Sequence, residues 1–138
     1  MAQYTKKLFD GDRKAIFSFT AKVAATTAET FNVDASALNA RNDGTACSFI
    51  NINKLWWSVN NTAVTKPLLV EWKATSNSQA ITCNYADSKD FSAIGGLTNP
   101  LTPGTGGATG GLDIKFLSIT NDDTATVVLE LLKIYTTY

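Results

Sequence analysis

The sequence contains no histidine. Histidine is the usual general base that activates a serine or cysteine nucleophile, the commonest metal ligand, and the side chain that exchanges protons near neutral pH. Its absence excludes Ser-His and Cys-His catalytic pairs. Two well separated cysteines and one methionine leave no cluster of soft metal ligands either. We therefore expect a protein that is not an enzyme, with no catalytic residue, no metal and no cofactor.

Charge is also scarce, since only 17% of the residues are charged and the 12 basic residues equal the 12 acidic ones. A protein that binds nucleic acid carries an excess of positive charge, so we do not expect a nucleic-acid partner. A chain without net charge has little long-range repulsion between its copies. This composition favours self-association or docking, although a neutral monomer with scattered charges fits it as well.

The two cysteines, Cys47 and Cys83, are too few for a disulfide scaffold. Each falls within a predicted strand. Two interpretations stay open: buried free thiols, or a disulfide between neighbouring strands.

Long apolar runs are missing as well. No run approaches the roughly 18–20 apolar residues of a membrane span, and the first residues lack the apolar core of a signal peptide. We therefore expect a protein made in the cytoplasm, with no membrane partner.

Short apolar runs separated by Gly, Asn, Asp, Ser and Thr fill most of the chain. Residues 13–23 alternate apolar and polar side chains with one apolar exception, Ile16, as in a half-buried strand. One helical turn is predicted after Asp34. The predicted fold class is all-β, an antiparallel β-sandwich that is jelly-roll-like with little helix. We expect an extended N-terminal arm over 1–12 and a single β-sandwich domain over 13–138. The predicted strands cover 13–23, 31–33, 45–59, 68–74, 79–85, 112–119 and 125–135.

The C-terminal part predicts two hairpin strands after a glycine-rich loop. Residues 95–111 hold seven of the nine glycines, without the Lys-Ser/Thr ending of a phosphate-binding loop. Residues 112–119 and 125–135 are apolar runs on either side of a short polar turn, so we predict a β-hairpin. The second run is apolar enough to be central in a sheet. A second hairpin is predicted from 68–74 and 79–85.

Tryptophans mark the middle of the chain. Trp56 and Trp57 are consecutive, so in a regular strand they point to opposite faces, one to the core and one outward. The run Leu55-Trp56-Trp57 breaks the apolar alternation of its strand, which predicts a β-bulge or corner near Lys54. An outward tryptophan would suit either a protein interface or a sugar-stacking platform.

Two other features carry competing interpretations. Leu8 and Phe9 form an apolar pair on a polar N-terminal segment, which is either a frayed terminus or an arm that docks on a neighbour.

Glu71 and Glu130 could face each other as paired carboxylates, but lysines such as Lys73 and Lys133 are the commoner partners of strand carboxylates. Asp122 and Asp123 are predicted to shape a turn.

Taken from end to end, the chain resembles small capsid decoration or cement proteins of tailed bacteriophages, especially marine ones. The residues that carry the resemblance are Tyr4-Thr5-Lys6, Leu8-Phe9-Asp10-Gly11, Leu55-Trp56, Leu69-Val70-Glu71-Trp72, Gly95-Gly96-Leu97-Thr98-Asn99-Pro100, Gly110-Gly111-Leu112-Asp113-Ile114 and Val127-Val128-Leu129-Glu130-Leu131-Leu132-Lys133.

The resemblance implies a viral structural protein that binds the outer surface of the phage head and stabilises contacts between capsomers. The implied partner is the major capsid protein. The subunit is implied to be a homo-oligomer, a trimer, that assembles in the host cytoplasm and ends at the capsid surface of the virion. The expected protein-interface residues are Tyr4, Leu8, Phe9, Trp56, Trp57, Asn99 and Pro100.

The alternative function is a tail-associated or carbohydrate-binding β-sandwich module that uses an exposed tryptophan. A small hydrolase with paired carboxylates is the weakest interpretation.

Overall fold

The computed structural model describes residues 2–22, 29–60, 68–83, 86–100, 106–116 and 124–135. Two single-turn 3-10 helices, Ala35–Ala37 and Ser92–Ile94, accompany the strands of this part of the chain. No helix among these residues has the length and hydropathy needed to cross a lipid bilayer. The strands in chain order are β1 Ala2–Asp10, β2 Lys14–Lys22, β3 Glu29–Val33, β4 Phe49–Asn60, β5 Leu68–Trp72, β6 Ser78–Cys83, β7 Ala86–Asp90, β8 Leu112–Phe116 and β9 Thr124–Ile134.

The strands form two antiparallel sheets. The five-stranded sheet has the order β1-β2-β9-β4-β7, and the four-stranded sheet has the order β3-β8-β5-β6. One continuous hydrophobic core contains buried residues of both sheets, so the sheets pack face to face. The predicted all-β sandwich is confirmed, and β9 lies centrally between β2 and β4 as its apolar sequence predicts.

The strand pairs are nested in the chain. β5 pairs with β6, β4 with β7, β3 with β8, and β2 with β9. Successive pairs of this series alternate between the two sheets. The strands from β2 to β9 are therefore paired as in one long hairpin whose tip is the β5–β6 turn. This hairpin is folded over so that its strand pairs lie in two sheets.

The predicted hairpin of residues 112–119 and 125–135 is wrong. β8 lies in the four-stranded sheet between β3 and β5, whereas β9 lies in the five-stranded sheet. Nesting explains this result, because outside the β5–β6 hairpin the nested strands pair with strands that are distant in the chain: β8 pairs with β3, and β9 pairs with β2. The predicted turn with Asp122 and Asp123 lies outside the described residues.

Alternation defines the inner and outer faces of the five-stranded sheet. In β9 every second side chain is buried, from Ala125 through Leu131, and the residues between them are half-buried. In β2, Ala15, Phe17 and Phe19 are buried in the same way. These side chains face the four-stranded sheet, so their even-numbered neighbours form the outer face.

Most other strand predictions are confirmed within a few residues. The β5–β6 hairpin forms, and the helical turn after Asp34 is a 3-10 turn in which Asp34 makes no side-chain cap. β7 was not predicted, because all five of its side chains are exposed and none of the apolar alternation of a strand is present. Residues 84–85 and 117–119 of the predicted strands lie outside the described residues.

The segment predicted as an extended arm is extended over β1 and pairs along β2 as an edge strand. Gly11 closes the turn between the two strands by donating its N–H to the carbonyl oxygen of Lys14, at 2.9 Å.

Candidate functional site on the outer face of the five-stranded sheet

A bulge in β1 determines which way Phe9 points. Lys6 lies opposite Ser18 and Phe9 lies opposite Ile16, and the register between β1 and β2 shifts at Leu8. Ser18 and Ile16 are both outer-face residues of β2. Because one extra residue reverses the alternation of a strand, the bulge turns Phe9 outward and Asp10 inward. The ring of Phe9, 53% exposed, lies over the turn: a β-carbon at Gly11 would be 2.7 Å from Phe9 Cζ.

A second bulge, in β4, does the same for Trp56. The register between β4 and β9 shifts between Ile52 and Lys54, which confirms the irregularity predicted near Lys54. Ile52 faces inward before the shift, and Leu55 faces inward after it. Trp57 is therefore buried in the core, 7% exposed, and Trp56 points outward with 45% of its surface exposed.

The two aromatic side chains are joined by apolar neighbours into one stripe. Phe9 lies opposite Ile16 on β2, and Trp56 lies opposite Val128 on β9. Val128 lies opposite Ser18, one same-face position along β2 from Ile16, so Ile16 and Val128 are diagonal neighbours. We call Phe9, Ile16, Val128 and Trp56 the apolar stripe. It crosses four adjacent strands, which at about 4.8 Å per strand spacing extends over about 14 Å.

Sequence reasoning found the two ends of this stripe and missed its middle. Phe9 and Trp56 were expected interface residues. Ile16 was visible as the one apolar residue on the polar side of β2, and Val128 as the outward member of a Val-Val pair. Neither could be assigned to the site without knowing that β2 and β9 are neighbours.

The other expected interface residues are placed differently. Trp57 belongs to the core, so its side chain is not available on the surface. Asn99 is buried, and its backbone N–H donates to Asn51 Oδ1 at 3.0 Å. Pro100 is exposed, and Leu8 at the β1 bulge is 49% exposed. Tyr4 pairs in register with Thr20, and its side chain lies outside the description.

The inward turn of Asp10 anchors β1 to the central strand. Lys133 Nζ on β9 donates to Asp10 Oδ1 at 2.7 Å, and the two side chains are 0% and 2% exposed. The pKa of Asp10 is lowered overall. Desolvation raises it, but the hydrogen bonds from Lys133 and from the Asn39 N–H, together with the charge of Lys133, lower it by a larger amount. The end of β1 next to Phe9 is therefore held firmly.

The alternative in which Glu71 and Glu130 form paired carboxylates is wrong, because the two residues lie in different sheets. Glu71 Oε1 is 2.7 Å from Lys115 Nζ, and Glu130 Oε1 is 3.8 Å from Lys14 Nζ. Lysines are thus the partners of both glutamates, although not the two lysines that were expected. The described part of the chain contains no group of three or more acidic or cysteine residues arranged to hold a metal ion.

An open depression of about 460 Å³ lies at one end of the sandwich. The Arg41 guanidinium stacks over the Tyr135 ring, 4.7 Å from its centroid, and the Tyr135 hydroxyl donates to the Asp12 carbonyl at 2.7 Å. Asp43 accepts two hydrogen bonds from Arg41, at 3.2 and 2.8 Å. These contacts fix the loop 41–45 against the end of β9.

Both cysteines are free and buried, so the disulfide interpretation is wrong for this structure. Burial raises the pKa of the Cys83 thiol to about 12. Burial also raises the pKa of Cys47, whose Sγ lies 3.3 Å from the carbonyl oxygen of Phe49. The two thiols behave as small apolar core groups.

Comparison of this chain with protein-family models and with curated proteins gives no match in either case.

Proposed function

We propose that this chain is a structural binding protein that docks onto another protein through the outer face of its five-stranded sheet. The apolar stripe is the observation that carries this proposal. Two separate bulges turn Phe9 and Trp56 toward the same face, where about half of each side chain is exposed. Large aromatic side chains exposed on one face are typical anchors of protein interfaces.

The stripe lies on paired strands, which favours docking over catalysis. Its residues lie on four hydrogen-bonded strands whose inner faces form the core. Because little side-chain or backbone freedom is lost on binding, such a platform gains affinity through preorganisation. We therefore propose a protein that is not an enzyme and binds no metal or cofactor.

The proposed partner is the major capsid protein in the shell of a tailed bacteriophage head, with this chain acting as a decoration or cement protein. Sequence resemblance supports this, and so does the nested pairing of β2 to β9, which we interpret as a jelly roll. In this proposal trimers assemble in the host cytoplasm and bind the capsid surface. Many identical contacts around a symmetric shell give strong overall binding without one strong site.

A carbohydrate-binding role is the second candidate, and the exposure of Trp56 is the observation that favours it. Trp56 lies opposite Ser88 on β7, which places one hydroxyl-bearing residue beside an exposed aromatic ring that a sugar could stack on. The aliphatic continuation of the stripe through Val128 and Ile16 fits a protein surface better. A titration with soluble sugars, followed by tryptophan fluorescence, separates the two roles.

Co-sedimentation with expanded, undecorated phage shells tests the proposal. We expect the wild type to pellet with the shells, and the Trp56→Ser and Phe9→Ser variants to stay in the supernatant. Asn32→Ser is the matched control, because Asn32 is exposed on β3 in the other sheet. Circular dichroism shows whether each variant is folded.

The outcomes are distinct. Failure of the wild type to pellet overturns the capsid partner. Undiminished pelleting of Trp56→Ser and Phe9→Ser overturns the docking face. Pelleting of the wild type that soluble sugar abolishes favours the carbohydrate-binding alternative.

A further inference from the structure

We infer that the surface contacted by the apolar stripe is acidic: an apolar protein surface bordered by carboxylates. This inference rests on the proposed docking function and specifies the chemistry of its partner. It is drawn from the charges that surround the stripe.

Three lysines lie on the outer face beside the stripe. Lys14 precedes Ile16 by two residues on β2, and Lys54 precedes Trp56 by two residues on β4, so each shares the outer face with its apolar neighbour. Lys6 lies opposite Ser18, and Ser18 lies opposite Val128. The stripe is therefore bordered by ammonium groups on three of its four strands.

Two of these three lysines have a carboxylate partner on the same face, at long distance. Glu130 is largely covered, with its side chain 14% exposed, and Asn53 Nδ2 donates to its Oε2 at 2.6 Å. Its other oxygen is 3.8 Å from Lys14 Nζ, and Asp90 Oδ2 is 3.9 Å from Lys54 Nζ, so both ion pairs are long. Lys6 makes no ion pair with any residue that the structure describes. The Asp90 side chain is 58% exposed, so part of the charge beside Trp56 is negative. Three lysines against two carboxylates leave this part of the outer face with an excess of one positive charge, carried by Lys6.

The lysines beside the stripe distinguish between three possible binding partners: a second copy of this chain, nucleic acid and an acidic protein surface. A second copy of the same face would bring lysines against lysines, and like charges across an interface cost binding energy. Nucleic acid is a poor fit, because its binding relies on neutralising many phosphates, whereas the chain has no net charge and the face offers three lysines beside two carboxylates. A protein surface with an apolar centre and acidic rim pairs with both the stripe and its lysines.

The test measures association and dissociation rates of the protein with expanded, undecorated shells. Lys6→Glu is the main variant, because Lys6 has no described ion pair to lose. Lys6→Arg keeps the charge. Lys73→Glu changes the net charge equally, but Lys73 follows β5 of the four-stranded sheet, and this variant also loses the ion pair of Lys73 with Asp34. Trp56→Ser reports on the docking face itself.

We expect Lys6→Glu to slow association by about tenfold at about 0.1 M salt, because complementary charge mainly raises the association rate. The difference should shrink at about 1 M salt, where the Debye length falls to about 3 Å. Lys6→Arg and Lys73→Glu should associate like the wild type. Trp56→Ser should dissociate faster with the same salt dependence as the wild type, because it changes no charge.

The variants separate the proposed docking face from the proposed acidic partner. If Trp56→Ser weakens binding while Lys6→Glu associates normally, the docking face stands and the acidic partner is overturned. If neither variant differs from the wild type, both proposals fail. Equal slowing by Lys73→Glu overturns the local role of Lys6. Vesicles containing phosphatidylserine serve as a further probe, and binding to them but not to shells would replace the protein partner with a membrane surface.

Discussion

Lys133 and Asp10 form a buried ion pair that joins the central strand β9 to the end of the edge strand β1. Besides Asp10, Lys133 Nζ donates to the carbonyl oxygens of Gly11 at 2.8 Å and Asn39 at 2.5 Å. All three N–H donors of the ammonium are thus satisfied. A buried charge is tolerated when its partners complete its hydrogen bonds in this way.

Lys133→Met should destabilise the protein strongly. The substitution leaves the Asp10 carboxylate buried without its cation, and breaking a buried pair in this way costs about 3–5 kcal/mol. Urea denaturation gives the free energy of unfolding. The double variant Lys133→Met with Asp10→Leu should recover most of that loss, because no charge then stays buried. A single-variant cost below about 1 kcal/mol, the range of an exposed pair, would contradict the buried pair.

Stability should fall in acid as Asp10 is protonated. The pKa of Asp10 in the folded protein is lower than its usual value of 3.8. Desolvation raises this pKa, but the hydrogen bond and charge of Lys133, together with the hydrogen bonds from Asn39 and Lys7, lower it by more. A carboxyl group whose pKa is lowered by folding stabilises the protein fully above its unfolded pKa, about 3.9, and loses this contribution as the pH falls through the folded pKa. Unfolding free energies measured at several pH values should therefore decline below about pH 4. The double variant without the pair should lack this part of the decline.

Truncation of the N-terminus should show a sharp boundary at Asp10. Residues 5–9 are exposed and bury little apolar surface, so removing residues 1–7 should lower stability only modestly. Removing residues 1–11 also removes Asp10 and Gly11, and leaves Lys133 buried without its carboxylate. Urea denaturation should show a loss for the longer truncation that is larger by about 2 kcal/mol or more. Equal losses would mean that Asp10 does not anchor the strand.

The two adjacent tryptophans should respond oppositely to substitution. Trp57→Ala removes a core side chain and should cost about 3–5 kcal/mol, whereas Trp56→Ala should change stability by about 0.5 kcal/mol or less. Acrylamide quenching gives an independent readout, because Trp56 is exposed while Trp57 and Trp72 are buried. Trp56→Phe should remove most of the quenchable fluorescence. Unchanged quenching in that variant would contradict the orientation of the pair.

The two thiols should be unreactive in the folded protein. Burial raises the pKa of both Cys47 and Cys83, and a thiol reacts as its thiolate. At about pH 8, close to the ordinary cysteine pKa, a thiol reagent such as dithionitrobenzoate should label neither residue until the protein is unfolded. Urea should then release two thiols per chain. Fast labelling of the folded protein, or fewer thiols after unfolding, would contradict free buried cysteines.

Local patterns were sufficient to predict most strands and part of the site. Alternation over 13–23 predicts β2, and the consecutive pair Trp56 and Trp57 predicts one inward and one outward ring. The phase break near Lys54 predicts the β4 bulge. These predictions succeed because the period of a strand is a property of neighbouring residues.

Other features follow no local pattern. β7 has one apolar residue, Ala86, and therefore no apolar alternation, and the bulge at Leu8 leaves no trace in the pattern of β1. The lysine partners of Glu71 and Glu130 depend on which strands are neighbours. Pairing is a contact between distant parts of the chain, so it cannot be derived from the spacing of residues within one strand.

The amino-acid sequence alone therefore determined an all-β chain, the approximate extent of most of its strands and the outward exposure of one tryptophan. Only the tertiary structure decided that β8 and β9 belong to different sheets, that Asp10 meets Lys133, and that Phe9 and Trp56 share one face. The physical reason is that alternation sets the two sides of each strand, whereas nested long-range pairing and the two bulges decide which sides meet.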